Sequence, residues 1–258
     1  MKTIQEIREE FEKASVEDYA ELYARYQEDE RKGVVQLIAK HRKIEEKLEQ
    51  EKKRIYRMQE FERKYGHKGL LCGVDEAGRG PLAGPVAAGA VILPPDCQIL
   101  YLNDSKKLSP QKREELYSVI MDKAVAVGIG WAGPERIDEI NILQAAYEAM
   151  RQAVENLQVK PQVLLNDAVT IPHIEIEQVP IVHGDARSLS IAAASVVAKV
   201  SRDRLMLEYD KEMPQYGFAS HKGYGSAAHY KALRKYGPSP IHRKSFLRKF
   251  EHMQAGNE

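Results

Sequence analysis

Two cysteines in 258 residues, Cys72 and Cys97, make neither a CxxC pair nor a disulfide framework, which points away from a stapled secreted domain and toward a reducing compartment. No apolar run is long enough to span a bilayer. The opening MKTIQEIREEFEK has no apolar core of the signal-peptide kind, so a cytoplasmic protein with no membrane partner is expected. A Walker loop, GxxxxGK[ST], is missing, and Gly78-x-Gly80-x-x-x-Gly84 is one residue off the dinucleotide fingerprint, which disfavours nucleotide cofactors. Internal repeats and low-complexity segments are also lacking. Net charge is nearly zero, 39 basic against 38 acidic side chains, so the total gives no sign of a polyanionic partner. Two local absences say more: residues 1–68 contain no proline, and from Met213 to Phe250 there is no aspartate or glutamate.

The proline-free stretch is crowded with charge and carries two helix-start signatures, Thr3-Ile-Gln-Glu6 and Ser15-Val-Glu-Asp18. Ile4, Ile7 and Phe11 share one helical face, as do Tyr19, Leu22, Tyr23 and Tyr26, so the first thirty residues are expected to pack as a helical hairpin. Ile44, Leu48, Ile55 and Met58 continue a thin apolar stripe along a longer helix. This is a solvated helix resting on its neighbours or, because Lys40 to Lys64 leans basic, an arm for nucleic acid or another partner. Residues 1–68 are therefore one unit, a helical extension.

The pattern changes at Gly69. Short Val/Ile/Leu/Ala runs then alternate with helix-like stretches, the signature of an α/β layer structure, and 43% hydrophobic residues supply its core. Leu70 to Glu76, Val86 to Leu93, Val125 to Trp131, Val163 to Asp167 and Val179 to His183 read as strands. Ser109-Pro110 caps and opens a helix running to about Ala124. Glu135 to Leu157 reads as one or two helices, and the alanine-rich Ser190 to Tyr209 as another. Residues 69–258 form the second unit, ending in a basic helical region.

Asp75 and Glu76 follow an apolar strand and precede a turn, Asp167 stands likewise after Val163-Leu-Leu, and Asp185 lies at a strand-to-helix junction. Each alone can merely cap a turn or pair with a base; four in similar places suggest convergence. Clustered carboxylates repel and stay ionised only beside a cation, and hard oxygen donors suit Mg2+ or Mn2+. Two such ions about 3.5 to 4 Å apart activate water and stabilise the leaving oxygen of a phosphodiester. Alternation adds a condition: Asp75 and Glu76 face opposite sides unless the strand ends there.

Gly78-Arg79-Gly80 lets the main chain approach a sugar or phosphate closely, with a cation at hand. The acid-free tail holds Lys222, Lys231, Arg234, Lys235, Arg243, Lys244, Arg248 and Lys249, interleaved with Tyr216, Phe218, Tyr224, Tyr230, Tyr236 and Phe246. That mixture neutralises phosphates and stacks on sugars or bases, or else is a helix with core aromatics and a wet basic face. Tyr230, Leu233 and Tyr236 have the helical spacing of the second reading, whereas His221-Lys-Gly-Tyr-Gly225 is a loop with Tyr224 at its centre. Ser105 and Lys106, in Asp104-Ser-Lys-Lys-Leu108, offer a weaker phosphate-binding loop. Lys199 is either a substrate contact or the partner of Asp203.

In these blocks the sequence resembles bacterial ribonuclease HII, from about Gly69 to Phe250: GVDEAGRGPLAGP at Gly73 to Pro85, NDSKKL at Asn103 to Leu108, GDARSLSIAAASVVAKVSRD at Gly184 to Asp203, and HKGYG at His221 to Gly225, in family order. The resemblance implies an RNase H-like fold, a mixed β-sheet core flanked by helices. It further implies an endonuclease cutting RNA in RNA/DNA hybrids and at single ribonucleotides embedded in DNA, with 3′-hydroxyl and 5′-phosphate ends; a monomer is expected. Asp75, Glu76, Asp167 and Asp185 match the family's metal-binding, catalytic carboxylates, the Gly78-Arg79-Gly80 turn its sensor of the 2′-hydroxyl, and Tyr224 its stacking residue at the RNA-to-DNA junction. Asp167 departs in its setting, Asn166-Asp-Ala-Val, where the family more often has a hydrophobic residue before the acid and a glycine after it. The related ribonuclease HIII class is a sister reading, and a non-catalytic hybrid-binding protein a reading of another kind.

Overall fold

The computed structural model describes residues 2–247. The chain divides between Tyr56 and Arg57 into two compact units. In the first, helices α1 (Ile4–Lys13) and α2 (Tyr19–Tyr26) precede the long α3 (Lys32–Met58), whose last two residues belong to the second unit. Both expected helix starts are capping boxes, Thr3 with Glu6 and Ser15 with Asp18. Ile7, Phe11, Tyr19, Leu22 and Tyr26 are buried together with Val34 and Leu37. The hairpin thus closes on the start of α3. Along the later stripe Ile55 and Met58 are buried, whereas Ile44 is exposed.

The second unit opens with α4 (Glu60–Tyr65) and contains one five-stranded sheet, ordered β3-β2-β1-β4-β5. Its strands are β1 (Leu71–Ala77), β2 (Val86–Ile92), β3 (Ala126–Ala132), β4 (Val163–Asp167) and β5 (Glu177–Ile181). β1 pairs antiparallel with β2 and parallel with β4, so the sheet is mixed. Helices α5 (Pro110–Lys123), α6 (Pro134–Glu155), α7 (Gly184–Arg187), α8 (Leu189–Glu212), α9 (Phe218–His221) and α10 (Ala227–Tyr236) complete it. Ser109 caps α5 through the Lys112 amide at 3.2 Å. α6 is broken at Asn141, whose φ is 68° and whose Oδ1 accepts from the amides of Leu143 and Gln144, restarting the helix. β5 begins before Val179 and ends at Ile181, because His183 takes a left-handed conformation that turns the chain into α7.

Helices cover both faces of the sheet at close range, and glycine makes that possible. A Cβ on Gly73 or Gly89 would lie 2.0 or 2.5 Å from backbone atoms of α8; one on Gly128 or Gly130 would lie 1.9 or 2.0 Å from carbonyl oxygens of α6. Small residues on both sides therefore let backbone approach backbone. Val74, Val86, Ala88, Ala90 and Leu164 pack under α6, while Leu71, Val163, Leu165 and Ile181 pack against Ile191 of α8.

Candidate active site

The parallel register sets the centre. Leu71 pairs with Val163 and Val74 with Asn166, so Asp75 and Asp167 are next in line at the same end of adjacent strands. Period-2 alternation puts them on the face that carries Leu71 and Val163, toward α8. The turn after β5 then delivers Asp185. One carboxylate oxygen from each of Asp75, Asp167 and Asp185 lies within 4.8 Å of the others.

Asp75 and Asp185 are buried. Burial, then the charges of Glu76 and Asp167, push the Asp75 pKa well above the usual carboxylate range. Burial, Asp104 and Asp167 raise Asp185. Asp75 and Asp185 resist ionising, and with Asp167 they offer only oxygen donors, a set that fits a hard divalent cation such as Mg2+ or Mn2+. Neighbours fix the carboxylates: the Gly184 amide donates to Asp167 Oδ1 at 2.7 Å, and Ser195 of α8 hydrogen-bonds Asp75.

Glu76 is not among the three converging acids. β1 continues to Ala77, so alternation turns Glu76 from Asp75, and its Oε1 meets Arg79 Nη1 at 3.2 Å. Ser105 is buried, its hydroxyl 2.9 Å from that of Ser195. With Ser195 donating to Asp75, Ser105 donates to Ser195 and props the carboxylate from behind. Lys106 is exposed, its Nζ 4.0 Å from Asp185. Burial lowers its pKa, but Asp75, Asp104, Asp185 and Asp167 outweigh that and the net shift is upward. Lys199 pairs with Asp203 at 2.7 Å and lies 5.7 Å from the Tyr224 ring centre. Sequence reasoning missed Ser195 and Asp104. Ser195 sits one turn from other small residues in a run that reads only as helix, and Asp104 reads only as the first residue of the Ser105–Lys106 loop.

Arg79 and Gly80 are exposed and the turn lies beside Tyr224: a Cβ on Gly80 would be 3.9 Å from the tyrosine ring. Tyr224 is 42% exposed, whereas Tyr216 and Phe218 are core. Of the tail residues expected to neutralise phosphates, Arg243 is fully buried and bound to main-chain carbonyls, and so is unavailable to solvent. Leu233 is buried and the half-buried Tyr230 packs against its cluster, but Tyr236 is 49% exposed. Arg248 and Lys249 lie outside the described residues.

A chain of neutral histidines supports the Tyr224 loop. The Ser239 amide donates to His242 Nδ1 at 2.9 Å, which leaves His242 Nε2–H to donate to His229 Nε2 at 3.0 Å, and His229 Nδ1–H to donate to the Tyr224 carbonyl at 2.9 Å. Only one arrangement of tautomers satisfies all three bonds. Burial pushes both pKa values down to about 4, which keeps the chain neutral.

Comparison with known proteins agrees with this geometry. A ribonuclease HII model matches residues 72–249, and a ribonuclease HII N-terminal domain model matches residues 3–66. A ribonuclease HII of Lachnoclostridium phytofermentans is 59% identical over 95% of this chain and 96% of its own length. That of Clostridioides difficile is 51% identical over 96% and 98%. The crystal structure of ribonuclease H2 from Pyrococcus horikoshii superposes with a TM-score of 0.60 at 29% identity, covering 71% of this chain and 98% of its own. With its mixed sheet and its acids gathered at one strand end, the chain belongs to the ribonuclease HII family and is an RNase H endonuclease.

Proposed function

We propose that this ribonuclease HII cuts the RNA strand of RNA/DNA hybrids and also cuts at single ribonucleotides embedded in duplex DNA. It leaves 3′-hydroxyl and 5′-phosphate ends and so supports ribonucleotide removal during replication and repair. The observation that carries this reading is the convergence of three carboxylates, one of which, Asp75, stands three residues before a glycine turn whose exposed end abuts Tyr224.

Asp75, Asp167 and Asp185 would hold the divalent cation, Mg2+ or Mn2+, with Glu76 as a fourth acid beside them. When bound, such an ion lowers the pKa of water and neutralises charge on the leaving oxygen. The protein's own groups do the rest. Ser195 and the Gly184 amide hold two of the carboxylates in place. The exposed main chain of Arg79 and Gly80 faces the ribose, whose 2′-hydroxyl distinguishes RNA from DNA. Tyr224 stacks on the neighbouring sugar or base, and Lys106 and the exposed tail lysines meet phosphates.

The enzyme acts as a monomer in the cytoplasm, with residues 1–68 as a separate helical extension and 69–258 as the catalytic domain. Among the described residues no helix is long and apolar enough to cross a membrane. The test is cleavage mapping of a DNA duplex holding one ribonucleotide, with Mg2+ or Mn2+, by the protein and by Asp75→Asn. Cutting by the parent alone, with the stated ends, is expected. An uncut duplex would sink the reading, and equal cutting by Asp75→Asn would show that these acids are not the reactive ones.

A further inference from the structure

Gly78 and Gly84 have φ values of 94° and 85°, conformations an L side chain resists. Space is the second reason for glycine here. A Cβ on Gly78 would lie 2.1 Å from Nε of Arg202, and one on Gly84 would lie 3.2 Å from its Nη2 and 2.4 Å from Met206 Sδ. The turn is wrapped around a guanidinium.

A second guanidinium lies with it. Arg202 and Arg243 are both 0% exposed. Arg202 donates to the carbonyls of Pro85, Lys222 and Ala83 at 2.8, 3.0 and 3.0 Å. Arg243 donates to those of Gly84, Arg79 and Gly78 at 2.9, 2.9 and 2.6 Å. All six bonds end on main-chain carbonyl oxygens. Burying a charge without a paired acid is expensive, and joining segments does not by itself require two cations.

The chosen carbonyls suggest what the charges do. Those of Gly78 and Arg79 belong to the peptides whose N–H groups are on Arg79 and Gly80. Neither N–H has a hydrogen-bond partner among the described residues, and both residues are exposed. A charged donor on a carbonyl draws electron density from its peptide and strengthens the N–H at the other end. Arg202 meanwhile ties Ala83 and Pro85 to Lys222, two residues before Tyr224, and its guanidinium lies 5.8 Å from the Tyr224 ring centre.

We propose that Arg243, together with Arg202, is a positioning residue for ribose selection: it fixes the Gly78–Gly80 turn and polarises the two exposed amides that meet the sugar. This rests on the reading that the turn senses the 2′-hydroxyl. Arg243→Lys keeps the charge but cannot reach three carbonyls in fork geometry. The readout is the affinity for an all-deoxy duplex, measured by competition, against that for the same duplex with one ribonucleotide, measured in single-turnover cleavage. In Arg243→Lys the preference for the ribonucleotide should fall by about tenfold or more, the loss expected when charge-assisted positioning goes. Affinity for the all-deoxy duplex and calorimetric Mn2+ binding should hold.

A purely structural role predicts a lower melting temperature with an unchanged preference, and that result overturns the proposal. A parent protein with no preference for the ribonucleotide overturns instead the reading of the turn. Should Arg243→Lys fail to fold, the parent still decides: the Arg79 and Gly80 amides, free of substrate, should show NMR order parameters of about 0.8 or higher, and values below about 0.6 refute a fixed turn.

Discussion

Ala168 holds a φ of 56°, a left-handed backbone that disfavours an L side chain by about 1–2 kcal/mol. The strain is kept by its neighbours: the Ala168 amide donates to the Ile181 carbonyl at 3.0 Å, and Asp167 before it accepts from Gly184. Ala168→Gly removes the strain but adds freedom to the unfolded chain, so a net gain of about 0.5–1 kcal/mol in unfolding free energy is expected. Urea titration checks this, with hybrid cleavage preserved; unchanged or lower stability would show that the alanine is not strained. The same neighbourhood shows what single residues reveal in advance. Asp75 and Asp167 were legible because an acid closing an apolar strand is conspicuous, and Asp185 because it opens a helix. Glu76, grouped with them by its place at the strand end and by the family resemblance, has its Oε1 3.2 Å from Arg79 Nη1. Arg202 and Arg243 were illegible: a buried arginine reads like any surface cation until its carbonyl partners, 117 to 165 residues away for five of the six bonds, are in place.

At the scale of elements, all five strands and the long helices α5, α6 and α8 followed from apolar runs and caps, because those signals are local, whereas the short α4, α7 and α9 did not stand out. The sheet order did not, since the parallel pairing of β1 with β4 joins segments some ninety residues apart. That pairing is what creates the site, and α8 seals it. Gly73→Ala would place a methyl 2.0 Å from the Ser190 carbonyl carbon and force the start of α8 outward, which carries Ser195 away from Asp75. Overpacking of this kind costs about 1–3 kcal/mol or more, and activity should fall with stability. Gly80→Ala is the contrast: its methyl would meet the Tyr224 ring at 3.9 Å, an ordinary contact. Its thermal unfolding should match the parent while ribonucleotide cleavage weakens. Calorimetry alongside cleavage kinetics distinguishes them, and parallel losses in both variants would contradict the assignment of Gly80 to the substrate surface.

Across the whole molecule two sets of titrating groups pull stability in opposite directions. His229 and His242, with folded pKa values of about 4 from burial, and His41, lowered by burial between Phe11 and Tyr19, bind protons more readily when unfolded. The contribution of all three is complete above an unfolded value of about 6.5 and falls with pH, that of His229 and His242 being lost as pH approaches 4. From pH 7 to pH 5 the unfolded imidazoles take up protons that folded His229 and His242 do not, a loss on the order of 2 kcal/mol for each. Asp75, Asp185 and Glu62, all raised by burial, bind protons more readily when folded, so without metal their contribution grows as pH falls. A bound divalent cation reverses the first two, because it stabilises the ionised carboxylates and must be released as they protonate. Melting temperature should therefore fall more steeply from pH 7 to pH 5 in saturating Mg2+ than in EDTA, where the two sets partly cancel. In Asp75→Asn the two slopes should converge, since the variant has lost both the repelling charge and the cation's hold. Equal slopes in the parent would mean that Mg2+ does not bind through these carboxylates.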